Sequence, residues 1–229
     1  MPKILTDIGQ CAVTYGGVSY ILTPSFINIA QIGSPKEIIE VYKAVNDNYA
    51  FHQLSEFTSK SNATIFKMSS QYVSNMLNSS LDVVRACSDR NIPDELFGSF
   101  NDRCMFKYSF DGVPPVDLVN FARCLLHHGL IGDLDARGTS TDQGGSDGGF
   151  VASRFISFAE SPYPRGFGLS RDSAERLTMT SFKIMYEDTF PEVKDAIKEK
   201  EDRDNDINNA NDYYAGIREM RAALEAENG

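Results

Sequence analysis

The sequence predicts a mainly α-helical protein with an N-terminal β-hairpin, an α+β fold of amphipathic helices with a helical C-terminal unit. Three stretches carry that prediction. Residues 10–15 and 18–23 are β-branched and aromatic and flank Gly16-Gly17, a pair that tolerates the positive φ of a two-residue hairpin turn. Ser34-Pro35-Lys36-Glu37 places serine at an N-cap, proline at N1 and glutamate at N3, the capping box of a helix start. Leu118, Val119, Ala122, Leu125 and Leu126 recur at helical spacing within 116–128, as one buried helix face requires.

The remaining elements follow in order. Pro24 ends the hairpin, because proline cannot donate to a ladder. The capping box opens a helix whose apolar face is Ile38, Ile39, Tyr42 and Val45. Residues 46–62 are polar and broken, with room for one short helix. Residues 65–88 have helical periodicity, with Val73, Met76, Leu77, Val84 and Cys87 on one side and Asn78-Ser79-Ser80 as a candidate break. Pro93 and Gly98 mark 89–101 as a turn with a short helix, and Phe106, Tyr108 and Phe110 alternate as in a short strand. Gly129 is expected as the left-handed cap of the 116–128 helix. Residues 138–149 contain no apolar side chain and read as an exposed linker. Residues 150–159 form an amphipathic helix, and Ser170 caps another that has Asp172 and Glu175 in its first turn. Leu177-Thr178-Met179-Thr180 ends that helix and starts the next, with Phe182, Met185 and Tyr186 facing inward as far as Pro191.

Composition narrows the function. The 229 residues suit one large domain or two small ones. Lys and Arg number 22 against 32 Asp and Glu, a net charge of −10, which opposes nucleic-acid binding and anionic membrane surfaces. No apolar run is long enough to span a bilayer, and residues 1–7 lack the apolar core of a secretory signal. Cys11, Cys87, Cys104 and Cys124 contain no Cys-x-x-Cys pair and are expected as reduced structural thiols. His127 and His128 end a helix, where they suit the terminal carbonyls. Asp202, Asp204 and Asp206 begin like a calcium loop, but Ile207 and Tyr213 replace its glycine and glutamate. The glycine-rich stretch has no P-loop lysine. The reading therefore assigns no catalytic, cofactor-binding or metal-ligating residue.

From 191 to 229 six cations face eleven anions, a net of −5. Tyr213, Ile217, Met220 and Leu224 form a stripe in this tail, spaced 4, 3, 4. Such a narrow helical seam is expected to dock on a protein surface, because soluble proteins avoid contiguous exposed apolar strips. The expected organisation is an N-terminal domain over 1–137, a flexible linker over 138–149, a helical C-terminal unit over 150–190 and an acidic helical tail over 191–229.

Several ordered segments resemble the tail assembly chaperones of long-tailed, siphovirus-type bacteriophages. They are Asp7-Ile8-Gly9 with the hairpin, Pro24-Ser25-Phe26, Ile32-Gly33-Ser34-Pro35-Lys36-Glu37-Ile38 and Ala86-Cys87, then the helix from Val119 through Cys124 and His128 to Gly132, and the Gly168-to-Phe182 segment closing at Phe190-Pro191. One departure is Ser181, where related sequences often carry an acidic residue opposite Thr178. The resemblance spans residues 5 to 191 and implies a non-enzymatic protein without cofactors that acts in the host cytoplasm. It implies binding to the phage tape measure protein, work alongside the tail tube protein, and self-association into a homo-oligomer, with a ring as one form. Two other readings compete: a virion structural protein such as a tail or connector ring subunit, and a small enzyme with a dispersed carboxylate site.

Overall fold

The computed structural model describes residues 8–60, 65–67, 71–101, 105–109, 111–132 and 150–191. It is mainly helical with an N-terminal antiparallel hairpin, the α+β class expected. The chain forms two compact units, Met1–Lys183 and Ile184–Gly229. The expected linker at 138–149 and the stripe Tyr213, Ile217, Met220 and Leu224 lie outside the described residues.

The hairpin pairs β1 (Cys11–Tyr15) with β2 (Val18–Leu22), Cys11 opposite Leu22 and Tyr15 opposite Val18. Gly16 and Gly17 have φ of 55° and 75°, so the turn curls with the strand twist and requires residues that accept the left-handed region. The end of β2 is stitched to the helical body. Thr23 N donates to Cys87 O at 2.7 Å and Asp89 N to Ile21 O at 2.9 Å, while Ile21 N donates to the Asp89 carboxylate at 3.0 Å. The outer edge of β1 pairs with no strand among the described residues.

Ser25 caps α1 (Phe26–Ala30). The capping box of α2 (Pro35–Val45) is complete: Ser34 N donates to Glu37 Oε2 at 2.7 Å, and Glu37 N donates to Ser34 Oγ at 3.4 Å. Residues 46–60 are more ordered than their polarity suggests. Asp47 accepts from Tyr49 N and Ala50 N and so opens a 13-residue helix, α3 (Asn48–Lys60). That helix buries Ala50 and Leu54 four residues apart.

Residues 65–88 are not one helix. β3 (Ile65–Lys67) precedes α4 (Gln71–Cys87). Asn78-Ser79-Ser80 does not interrupt α4, because the buried Ser80 hydroxyl donates to Met76 O at 2.7 Å and so satisfies itself within the helix. After α5 (Asp94–Phe97), β4 (Ser99–Phe100) and β5 (Met105–Lys107) join β3 in a small antiparallel sheet of order β3-β5-β4. Phe106 is fully buried there, its ring 5.1 Å from that of Phe100.

α6 (Pro115–Leu126) continues into a π-helical turn over His127–Ile131. The left-handed cap is Gly132 (φ 66°), whose N–H donates to His127 O at 2.8 Å, not Gly129. Gly129 is buried inside the π turn, where a Cβ would come within 2.8 Å of the Ile29 side chain. Its smallness serves close packing against α1. An aliphatic core forms where α4 packs against α2 and α6, with α3 against α4 and α6. It includes Ile38, Val45, Leu77, Val84, Leu118 and Leu125.

α7 (Ala152–Glu160) and α8 (Arg171–Arg176) pack on α1. Their join is aromatic: the fully buried Phe26 ring lies 5.4 Å from Phe155, 5.8 Å from Phe182 and 6.1 Å from Phe150. The backbone joins too, through Phe26 N to Leu177 O at 2.8 Å and a Ser25–Thr178 bridge. Residues 150–183 share a compact unit with the hairpin and α1–α6. At the start of α9 (Met179–Thr189), Ser181 N donates to Thr178 Oγ1 at 3.1 Å. The Thr178 hydroxyl in turn donates to Ser181 Oγ at 3.0 Å, so the threonine and serine together secure this helix start.

Candidate functional site

An open groove of about 600 Å³ lies between the hairpin and α6. Residues 11–14 of β1 form one wall, and Gly112-Val113-Pro114 closes one end. Asp117, Asn120, Phe121 and Cys124 form the other wall, at the i, i+3, i+4, i+7 positions that share one helix face. Phe121 is half-buried, with its ring edge-on to Phe97 at 6.1 Å, while Asp117 and Asn120 are exposed. The groove thus combines a strand edge that is unpaired among the described residues, an apolar middle from Val13, Val113, Pro114 and Phe121, and a carboxylate at its rim.

Two thiols line this groove, Cys11 and Cys124. The Cys11 thiol donates to Gly9 O at 4.0 Å. Interaction with Cys124, then burial, pushes the Cys11 thiol far up. Interaction with Cys11 brings Cys124 down to about 7 against the opposing effect of burial. Cys87 is fully buried nearby and pushed up to about 12 by desolvation. Cys11, Cys87 and Cys124 are free thiols, and Cys104 lies outside the described residues.

A model of one protein family matches residues 22–203. The chain belongs to the DUF6246 family, a family of unknown function. No curated protein and no solved structure matches it. In this DUF6246 protein the α6 wall of the groove lies inside the matched span, and the β1 wall precedes it.

A second, smaller cavity of about 290 Å³ is lined by Tyr42, Asn46, Arg123, Cys124 and the His127–His128 pair. Arg123 Nε donates to Val45 O at 3.0 Å, and its guanidinium lies 4.1 Å from the centre of the Phe51 ring. This anchors α6 to the end of α2. His128 Nδ1 is 2.9 Å from Thr180 Oγ1. Burial, then the neighbouring His127, lowers its titration point. The two histidines open the π turn that continues α6 rather than ending a helix, and His128 ties that turn to Thr180 at the start of α9.

Carboxylates gather in a shallow groove between α2 and α4 that contains Glu37, Glu40 and Asp82. Glu37 is held below its usual range by the Ser34 hydrogen bonds, and burial raises Asp82 against the pull of Arg85. Among the described residues no group of three or more His, Cys, Asp or Glu side chains is arranged to hold a metal, and no helix is long and apolar enough to cross a membrane. The four tail residues expected to bind a partner lie outside the described residues. The β1–α6 groove went unread because its helical stripe mixes an acid, an amide, a phenylalanine and a cysteine. The available signal was spacing without uniform polarity.

Proposed function

We propose that this DUF6246 protein is a tail assembly chaperone of a long-tailed bacteriophage. It binds the tape measure protein in the host cytoplasm without catalysis and assists the tail tube protein in polymerising around it. The observation that best supports this reading is the β1–α6 groove. A free strand edge offers backbone hydrogen bonds to an extended chain of many sequences, while apolar side chains beside it supply affinity. The occupant we assign is an extended apolar segment of the tape measure protein with a flanking Lys or Arg. Asp117 at the rim and the net charge of −10 favour that cation. The same negative charge keeps a loaded complex soluble. Self-association, and docking of Tyr213, Ile217, Met220 and Leu224 on a protein surface, belong to the same proposal.

The test is co-expression with the tape measure protein of the same phage, followed by affinity capture. Wild type is expected to retain the client. Asp117→Lys with Asn120→Lys changes only exposed groove residues, and is expected to cut retention at least tenfold at an unchanged melting temperature. Failure of wild type to retain the client, or full retention by the double variant, overturns the assignment of the groove. Stoichiometric copies of the chain in purified virions would favour a tail or connector ring subunit instead.

A further inference from the structure

The geometry points to one mode of capture in the β1–α6 groove: the occupant joins β1 as an added strand, bonded to the outward backbone groups of Ala12 and Thr14, with an apolar–any–apolar triplet turned to the groove. The inference rests on the proposed capture of a tape measure segment and adds its register. Ile21 fixes that register. Its N–H donates to the Asp89 carboxylate at 3.0 Å, and its carbonyl accepts from Asp89 N at 2.9 Å, so both groups turn away from β1. Ile21 lies opposite Ala12, which makes the two a non-hydrogen-bonded pair. The phase repeats at every second residue, so Thr14 opposite Ser19 is another such pair. Their hydroxyls meet at 3.1 Å, as the closer side chains of such pairs can. Tyr15 and Val18, which flank Gly16-Gly17, are then hydrogen-bonded to each other, as a two-residue hairpin turn requires. Both ends of the hairpin give the same phase. The N–H and C=O of Ala12 and Thr14 therefore point out of the hairpin, and no strand meets them among the described residues.

Side chains set what the added strand must carry. Cys11, Val13 and Tyr15 are partly buried against the core, whereas Ala12 and Thr14 are exposed. A strand at this edge shares the pleat of β1, so its residues alternate in the same way. Those level with Cys11 and Val13 turn inward, to the side of Val113, Phe121 and Cys124. The one between them, level with Ala12, stays in water. Backbone bonds are blind to sequence, so the inward pair selects the segment. An inward Asp or Glu would lose its water beside Asp117, and no Lys or Arg lines the groove to receive it. A slip of one residue would turn the inward pair out. The occupant is thus a tape measure segment with this alternation and a Lys or Arg at its end, the charge that Asp117 and the acidic chain attract.

The experiment measures amide hydrogen exchange at single residues, by mass spectrometry with electron-transfer fragmentation. It compares the free full chain with its complex with the co-expressed tape measure protein. In the free chain Val13 and Tyr15 are expected to exchange slowly, and Ala12 and Thr14 rapidly. In the complex Ala12 and Thr14 should slow by at least about tenfold, and the client stretch protected with them should contain the apolar–any–apolar triplet. Ala12→Pro removes one outward donor and no bond between β1 and β2, a change that edge strands accept. It is expected to weaken client retention roughly tenfold while Val13 and Tyr15 stay protected. Ala12 and Thr14 as slow as Val13 in the free chain would overturn the inference, because the edge is then already covered. So would a protected client stretch without the triplet, or full retention by a folded Ala12→Pro. A complex in which both amides remain fast overturns the strand register and leaves capture by the groove standing, whereas a wild type that captures no client overturns both. The wild-type exchange pattern decides the matter even if Ala12→Pro fails to fold.

Discussion

The aliphatic core and the phenylalanine cluster hold different parts of this molecule together by different means. Around α4, helices close in sequence bury side chains such as Leu77, Val84, Leu118 and Leu125 in regular rows. Around Phe26, rings come from distant stretches of chain: Phe150, Phe155 and Phe182 meet it directly. Phe158 and Phe167 extend the cluster, each within 5.6 Å of the Phe182 ring. Rows of aliphatic side chains depend on helix geometry already present in each element. The ring cluster exists only once the chain has returned to α1. Local periodicity therefore describes the first region well and the second hardly at all.

The change with the largest expected effect attacks the second region. Phe26→Ala removes the shared ring and should cost about 3–5 kcal/mol, measured by chemical denaturation. Hydrogen exchange should show α7 and α8 losing protection while α4 and α6 keep theirs. Equal loss in all four helices would break the comparison and make the two regions one cooperative unit.

A smaller effect is expected at the joint between them. Gly129→Ala drives a methyl group into Ile29 of α1, near Pro24, at a cost of about 1–3 kcal/mol. A neutral result in urea denaturation would mean that α1 and the π turn have room to separate.

The smallest effects concern pH and have opposite signs. Asp82 is raised in the fold, so the folded state binds more protons than the unfolded state above the ordinary carboxylate range, and stability falls as pH rises through that window. Asp82→Asn should raise the melting temperature slightly at pH 7, and the gain should vanish in acid. His128 is lowered, so the unfolded state binds the extra proton, and stability falls as pH drops below about 6.5. His128→Gln should flatten that loss. Melting curves between pH 4 and pH 8 check both, and effects of the same sign would contradict the assignments.

Elements set by their own local chemistry were legible. Gly16-Gly17 can turn a hairpin whatever surrounds it, and the Ser34–Glu37 box starts α2 from within. β3 was not legible, because Ile65–Lys67 is a strand only by virtue of β5, forty residues on. Gly129 and Gly132 could not be told apart in sequence. One glycine removes a clash with α1 and the other supplies a left-handed cap, and only the π turn decides which is which. Likewise the groove and its two thiols need β1 and α6 side by side, a juxtaposition that neither stretch encodes alone.

The backbone bond from Phe26 to Leu177 also sets a timetable for synthesis. The hairpin and helices through α6 leave the ribosome well before their aromatic partners do. At about 5–20 residues per second, roughly 8–30 s separate the making of Phe26 from that of Leu177. During that interval the nascent chain can build its aliphatic core while the face of α1 that will receive the rings stays wet. This is the stage at which the growing polypeptide is most exposed to aggregation, and a stop codon placed before residue 150 would make that exposure permanent.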